Sequence, residues 1–262
     1  MAFFDEKVLG GNFPSEDGSV IWGMSVKAHG SMRFRWNEIN ENRQSFLKKL
    51  AGEKHKICQI ELCHSKKVFA VENENETENL KGDGIITVNK SIIPVVTVAD
   101  CMPIYLYESR KGVFGVLHSG WKGTGIVQNA LELSEKKYGT KNSDFKVVLG
   151  PHIKSCCYNV DYERYKYFRE NFTAECTWLI ENPKDKNFPY ALSLEKANLA
   201  VLKKCGVPEE NIIVRNECTC CFPGEKFGSS RRETMFLGKE ISPEEKSRFM
   251  TVQAAFVRCE LQ

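Results

Sequence analysis

The sequence predicts a mixed α/β fold: a single domain with mixed β-sheets, flanking helices, and its site at strand ends. Short apolar, β-branched runs such as Val95-Val96-Thr97-Val98-Ala99 and Val113-Phe114-Gly115-Val116-Leu117 have the length and composition of buried strands. Segments with a helical apolar period, such as 124–138 and 194–205, alternate with such runs. No repeat, low-complexity segment or linker divides the 262 residues, so residues 1–262 are expected to form one unit.

In chain order, residues 1–36 read as strands and turns, with Gly10-Gly11 preceding the apolar stretch 20–26. Residues 37–50 read as a helix with Ile39, Phe46, Leu47 and Leu50 on one face. Short strands at 57–62 and 67–72 flank Cys63-His64, and the polar stretch 73–79 reads as a loop. Gly82-Asp83-Gly84 is a turn into a strand at 85–88. The two apolar runs follow. The helix 124–138 begins just behind Gly120 and Gly123, so its first amides are expected to face the site and to suit an anion. A strand at 146–149 closes on Gly150-Pro151, and 162–171 and 194–205 read as amphipathic helices. Residues 211–215 read as a strand, 218–230 as a loop and 253–259 as a final strand.

A net charge of +3 argues against nucleic-acid binding by phosphate neutralisation, which needs a basic patch or arm. No apolar run is long enough to span a membrane, and Met1-Ala2-Phe3-Phe4-Asp5-Glu6-Lys7 has acidic residues where a signal peptide needs an apolar centre. A cytoplasmic location is therefore expected. There the eleven cysteines would be reduced, serving as core residues, metal ligands or nucleophiles. Nothing in the sequence sets an oligomeric state.

The two apolar runs end in reactive residues: Asp100-Cys101-Met102-Pro103 after one, His118-Ser119-Gly120-Trp121-Lys122-Gly123 after the other. A thiolate and an imidazole delivered from neighbouring strand ends make either a metal site or a Cys-His nucleophile pair. Of the five histidines, His64 and His118 stand at strand ends, as Cys101 does. Together they offer two nitrogens and one sulfur and leave a fourth position open, the ligand count of a catalytic zinc. The competing reading makes Cys101 a core thiol and His118 a hydrogen-bonded structural histidine. Asp100 is a candidate to orient a ligand, to transfer a proton, or simply to cap a turn. Cys218-Thr219-Cys220-Cys221 is dense in thiols, but no second matching pair follows it and Cys156-Cys157 lies far upstream. Buried thiols or an incidental cluster is the expectation. Arg231-Arg232 after a Gly-Ser turn suits phosphate or carboxylate recognition, with surface charge as the plain alternative.

Ala99-Asp100-Cys101-Met102-Pro103, His118-Ser119-Gly120-Trp121-Lys122-Gly123, Gly150-Pro151 with Cys156-Cys157-Tyr158, Cys218-Thr219 and Ser230-Arg231-Arg232 together resemble the motifs of the laccase-domain, or polyphenol oxidase, family. Its members are regarded as purine nucleoside phosphorylases with adenosine deaminase activity. The resemblance covers nearly the whole chain and implies His64, Cys101 and His118 as zinc ligands, with copper as the alternative occupant. In such an enzyme Asp100, Cys101 and His118 are the candidate catalytic residues, and Arg43, Gly120, Lys122, Arg231 and Arg232 the candidate substrate contacts. The implied substrates are adenosine, inosine or methylthioadenosine with phosphate, or adenosine with water. Lys122 stands where the family carries Arg, and Asn159 where it commonly carries Glu. Copper-dependent phenol oxidation by a multicopper centre within the chain needs on the order of ten histidines, against five present. A cysteine hydrolase or deamidase using Cys101 and His118 is the other competing class.

Overall fold

Strand-forming runs and helical segments sort into two main sheets in the computed structural model, which describes residues 8–13, 20–238 and 240–261. The segment 1–7, read above against a signal peptide, lies outside the described residues. β1 (Leu9–Asn12) and β2 (Val20–Met24) precede α1 (Glu41–Ala51). Next come β3 (Lys56–Gln59), β4 (Val68–Val71), β5 (Gly84–Thr87), β6 (Ile92–Val98), β7 (Met102–Glu108) and β8 (Val113–Ser119). After α2 (Ile126–Tyr138) follow β9 (Phe145–Leu149), β10 (Asn159–Val160), α3 (Tyr162–Asn171), β11 (Thr177–Leu179) and β12 (Tyr190–Leu192). The chain continues through α4 (Leu194–Lys204), β13 (Ile212–Val214), α5 (Ser230–Thr234), α6 (Pro243–Lys246) and β14 (Gln253–Cys259).

A five-stranded sheet runs β1-β2-β14-β6-β3, a six-stranded one runs β13-β9-β7-β8-β5-β4, and β10-β12-β11 form a small third sheet. Trp22, Met24, Val96 and Val98 of the first sheet meet Ile85, Tyr105, Val116 and Val148 of the second in one core cluster. On the opposite face of the six-stranded sheet, Ile104, Leu106, Leu117 and Val147 pack with Ile126, Ala130 and Leu131 of α2 and Ala197 and Leu202 of α4. A sheet covered on both faces needs apolar residues at nearly every position, which is why β7 and β8 are buried throughout. Each such Val, Leu or Ile contributes about 1.5–3 kcal/mol by leaving water. The expected mixed α/β fold, with mixed sheets flanked by helices, is the observed one.

Topology gathers the reactive residues at one end of the six-stranded sheet. β7 and β8 are antiparallel with Pro103 opposite His118, and β5 runs antiparallel to β8 with Gly84 opposite Leu117. β4 is parallel to β5; β9 is antiparallel to β7; β13 is parallel to β9. The starts of β4, β5 and β7 and the ends of β8, β9 and β13 therefore share an edge.

Some expected elements differ. β7 was not expected, because Pro103 reads as punctuation; here its carbonyl accepts from Gly150 N at 2.9 Å and the strand continues through it. α1 starts at Glu41, where the Asn40 side chain accepts from Arg43 N; this leaves Ile39 outside the helix and 83% exposed. α2 starts at Ile126, after Gly125 in the left-handed conformation, and Thr124 instead donates its hydroxyl to Gly120 O at 2.8 Å.

Candidate metal centre

Cys101 immediately precedes β7, His118 lies in β8 opposite Pro103, and His64 sits in the turn before β4. The ligand-capable atoms of His64, Cys101 and His118 all lie within 4.8 Å of one another. The two imidazole rings stand nearly perpendicular, with centroids 5.0 Å apart. His118 is buried, Cys101 half-buried and His64 exposed, so the group has a dry floor and an open side. Gly120 permits the approach: a Cβ there would lie 2.6 Å from Cys101 Sγ and 3.6 Å from His118 Cε1. His64 holds a left-handed backbone at φ 57°, uncommon outside glycine and a form of strain that clusters at functional sites.

Asp83, fully buried between Gly82 and β5, organises the group from behind. Its Oδ1 lies 2.9 Å from His118 Nδ1 and accepts from the His64 backbone N–H at 3.0 Å. Its Oδ2 accepts from the Ser65 backbone and hydroxyl at 2.6 and 2.7 Å. Burial works against a charged carboxyl here, but His118 and Ser65 hold it well below the usual carboxylate range. With Asp83 on Nδ1, His118 turns Nε2 toward Cys101 and His64, an arrangement that raises the basicity of a metal-ligating imidazole. Burial alone would raise the Cys101 thiol, yet His118 and His64 beside it bring it down to about 6. Burial likewise opposes charge on His118, but Cys101 and Asp83 raise it to about 10. Two imidazoles and one thiolate with a fourth position open are a donor set able to hold a metal ion. In the sequence Asp83 reads as part of the Gly82-Asp83-Gly84 turn and Asp83-Gly84 fits the family pattern, with no part in the site assigned to it. An acidic residue opening the strand beside a histidine-bearing strand was the available signal.

Asp100 is buried at φ 74°, and its carboxylate is already committed. Oδ1 accepts from Thr219 Oγ1 at 2.7 Å, and Oδ2 from Ser229 Oγ at 3.0 Å and Arg231 N at 2.6 Å. The Asp100 carboxylate thereby ties the backbone just before Cys101 to the segments around Thr219 and Ser229. Two of the expected substrate arginines also turn inward. Arg43 is 4% exposed and binds Gln59 Oε1 at 2.7 and 3.2 Å and Met32 O at 2.9 Å. The Arg232 fork donates to the carbonyls of Thr219, Cys220 and Phe227 at 2.5–3.1 Å. Arg231 donates to Asn159 O at 2.9 Å and lies 5.9 Å from the Tyr158 ring; Lys122 is exposed, 5.7 Å from the Trp121 ring. The same Trp121 carries Arg164 of α3 at 4.2 Å, a residue the sequence reasoning did not single out. The cysteines expected to be incidental are also brought together: Cys156, Cys157, Cys218 and Cys221 converge, while Cys220 touches the group only at Cys157.

Fold and site together define a class: a mixed α/β protein with a two-histidine, one-cysteine centre at the strand ends of its larger buried sheet. The chain belongs to the family described as multi-copper polyphenol oxidoreductase laccase, whose sequence profile matches residues 33–242. It is 32% identical over 172 residues to a purine nucleoside phosphorylase of Clostridium acetobutylicum, covering 64% of this chain and 69% of that protein. It is 33% identical over 164 residues to the purine nucleoside phosphorylase YlmD of Geobacillus stearothermophilus, covering 61% of this chain and 58% of that protein. The match to the mouse purine nucleoside phosphorylase LACC1 is 31% identical and spans 78% of this chain but 46% of that one. The crystal structure of Geobacillus YlmD superposes with a TM-score of 0.75 at 25% identity, covering 93% of both chains. A Bacillus licheniformis protein, YfiH, superposes with a TM-score of 0.76 at 23% identity over 92% of this chain and 93% of its own. No helix among the described residues is long and apolar enough to cross a membrane.

Proposed function

We infer that this protein is a zinc-dependent purine nucleoside enzyme that cleaves adenosine, inosine or methylthioadenosine with phosphate, and deaminates adenosine with water. The observation carrying the reading is the convergence of His64, Cys101 and His118, backed by Asp83, beneath an open side. The names of the bacterial and mouse relatives support the choice of substrate. Zinc held by the three side chains would supply a Lewis acid that polarises a bound oxygen or lowers the pKa of bound water.

The chain's own residues do the rest. Asp83 fixes the tautomer and orientation of His118, and Gly120 leaves room for the Cys101 sulfur. Trp121 and Tyr158 offer aromatic faces suited to a purine, and Arg164, Arg231 and Lys122 stand against them as cations suited to phosphate or ribose oxygens. Asp100 acts as a positioning residue, holding the turn before Cys101 to the segments around Thr219 and Ser229. The lowered Cys101 thiol beside His118 also suits a nucleophile, which keeps a cysteine hydrolase as the second reading.

Purified protein incubated with each nucleoside, with and without phosphate, tests the reading. Release of free base only with phosphate establishes phosphorolysis, and inosine formed from adenosine establishes deamination. A metal-free protein that turns over neither, but is labelled at Cys101 by a substrate-like electrophile, would transfer the site to the hydrolase reading.

A further inference from the structure

Four thiols outside the site just described meet at the same sheet edge. Cys156 and Cys157 lie on the turn after β9, where the N–H groups of Cys157 and Tyr158 both donate to Lys154 O at 2.9 Å. Cys218 and Cys221 lie on the turn after β13, closed by Phe222 N donating to Cys218 O at 3.0 Å. A parallel bridge between His152 and Cys218 lays the two turns side by side, and Thr219 N donates to His152 O at 3.1 Å. Both turns are thus fixed by backbone bonds that do not involve the sulfurs.

All four sulfurs lie within 4.8 Å of one another, and none is in a disulfide. Cys156 Sγ is 3.8 Å from Cys157 Sγ and 3.7 Å from Cys221 Sγ. Zn–S bonds of about 2.3 Å directed to the corners of a tetrahedron separate the sulfurs by about 3.8 Å. A four-iron cluster puts each thiolate on a different iron, which spreads the sulfurs beyond the 4.8 Å seen here. The backbone N–H of Lys154 points at Cys218 Sγ from 3.4 Å, the kind of amide contact that orients a coordinating thiolate. Cys218-Thr219-Cys220-Cys221 thus works as a CxxC pair whose partner pair is Cys156-Cys157, and Cys220 is one of its two spacers.

We propose that Cys156, Cys157, Cys218 and Cys221 form a second, structural zinc site, closed by four thiolates and separate from the His64–Cys101–His118 centre. On binding, each thiol releases its proton to solvent and Zn²⁺ takes the four sulfurs; no electron moves. Four protein ligands leave no position for water or substrate, so the site supports rather than reacts. What it supports is specific. Thr219, between the two ligands of the second pair, holds Asp100 Oδ1, and Ile153, just before the first pair, donates to Asp100 O at 2.9 Å. The metal would tie together the two segments that fix the left-handed turn leading into Cys101.

The test is metal content by mass spectrometry on the full chain expressed with zinc, for the wild type and two double variants. About two zinc ions per chain are expected in the wild type, and about one in each of Cys156→Ser/Cys221→Ser and His64→Ala/Cys101→Ala. Cys220→Ser keeps the wild-type content. Since the first double variant removes two supports from the fold, Co²⁺ titration of the His64→Ala/Cys101→Ala protein gives an independent reading. Thiolate-to-cobalt charge-transfer bands of a tetrahedral four-sulfur site are expected there, abolished by blocking the thiols beforehand. The proposal is overturned if Cys156→Ser/Cys221→Ser leaves the wild-type zinc content unchanged after reducing reconstitution, or if iron stands in zinc's place. A Cys156–Cys221 disulfide in reduced-purified protein, seen as the loss of two hydrogens, overturns it equally. None of these outcomes depends on nucleoside turnover, so failure here leaves the proposed activity standing, and the reverse.

Discussion

Two groups of donors share one edge of the six-stranded sheet, and they differ in where their charge balance comes from. In the His64–Cys101–His118 group the thiol has two imidazoles beside it and a buried carboxylate behind one of them, so Cys101 is brought down to about 6 before anything binds. In the four-cysteine group, burial and the neighbouring Cys218 push Cys156 up to about 12. Cys218 is lowered, against its burial, by backbone N–H groups from Lys154, Cys221 and Cys220. The first group is preionised and open on one side, as chemistry requires. The second offers four sulfurs and no open position, and binding a cation there releases thiol protons, as a staple would. A mixed N/S triad and an all-sulfur tetrad are thus two answers to different demands at one address.

The largest expected effect breaks the first group outright. Cys101→Ala is expected to lose about one zinc per chain and to lower nucleoside turnover by roughly 10³-fold or more, read by metal analysis and steady-state assay. Unchanged turnover in the variant would remove Cys101 from the chemistry altogether.

Next in size is the contrast in thiol reactivity. With chelator present, Cys101 is a thiolate above a pH of about 6, so its alkylation should rise with pH through that value and level off near neutrality. Cys156, pushed up to about 12, should still be accelerating at the alkaline end of the range. At neutral pH a rate ratio of about 10²–10³ in favour of Cys101 is expected, once the lower intrinsic nucleophilicity of an acidic thiol is counted. Peptide-mapped alkylation measures it; equal rates would erase the distinction drawn between the groups. Asp83→Asn follows: it keeps the shape but removes the charge behind His118, and should weaken metal binding by roughly 10–100-fold. Competition with a chromophoric chelator measures that loss, with circular dichroism confirming the fold.

How far the sequence reached also divides along the two groups. Cys101 and His118 were readable because each follows a run of apolar residues, and His64 because it lies between two short strand candidates; strand ends are where buried sheets expose reactive groups. The four-cysteine site was not, because it exists only if β13 lies parallel to β9, a pairing between segments some sixty residues apart that no local pattern encodes. Asp83 escaped for a similar reason: its meaning depends on β5 lying beside β8. β6, β8, β9 and α2 were legible from period and composition, whereas β7 was hidden by Pro103 at its second position. Arg43 and Arg232 looked like substrate ligands because a sequence cannot show that their forks face carbonyls and an amide inside the protein.

A smaller effect is expected from crowding alone. Gly120→Ala places a methyl 2.6 Å from Cys101 Sγ without altering any donor. Displacing that sulfur by a few tenths of an ångström should cost about 10-fold in metal affinity. The four-cysteine site should be untouched, so total zinc falls only when chelator competes. Loss from both groups at once would mean that the shared edge moves as a unit.

The smallest expected effect concerns the strand that leads out of Cys101. Tyr105, midway along β7, is fully buried against Trp22 with ring centroids 5.2 Å apart, and its hydroxyl has no hydrogen-bond partner. An unsatisfied buried hydroxyl opposes folding, so Tyr105→Phe should be neutral or stabilising, by about 1 kcal/mol at most. That corresponds to a rise of a few degrees at most in thermal midpoint for a chain of this size. Metal content should stay at the wild-type level in both groups, because the ring's packing against Trp22 is kept. A clear destabilisation would show that the hydroxyl has a bound water in solution. A loss of zinc from either group would show that β7 transmits changes in its core to the edge.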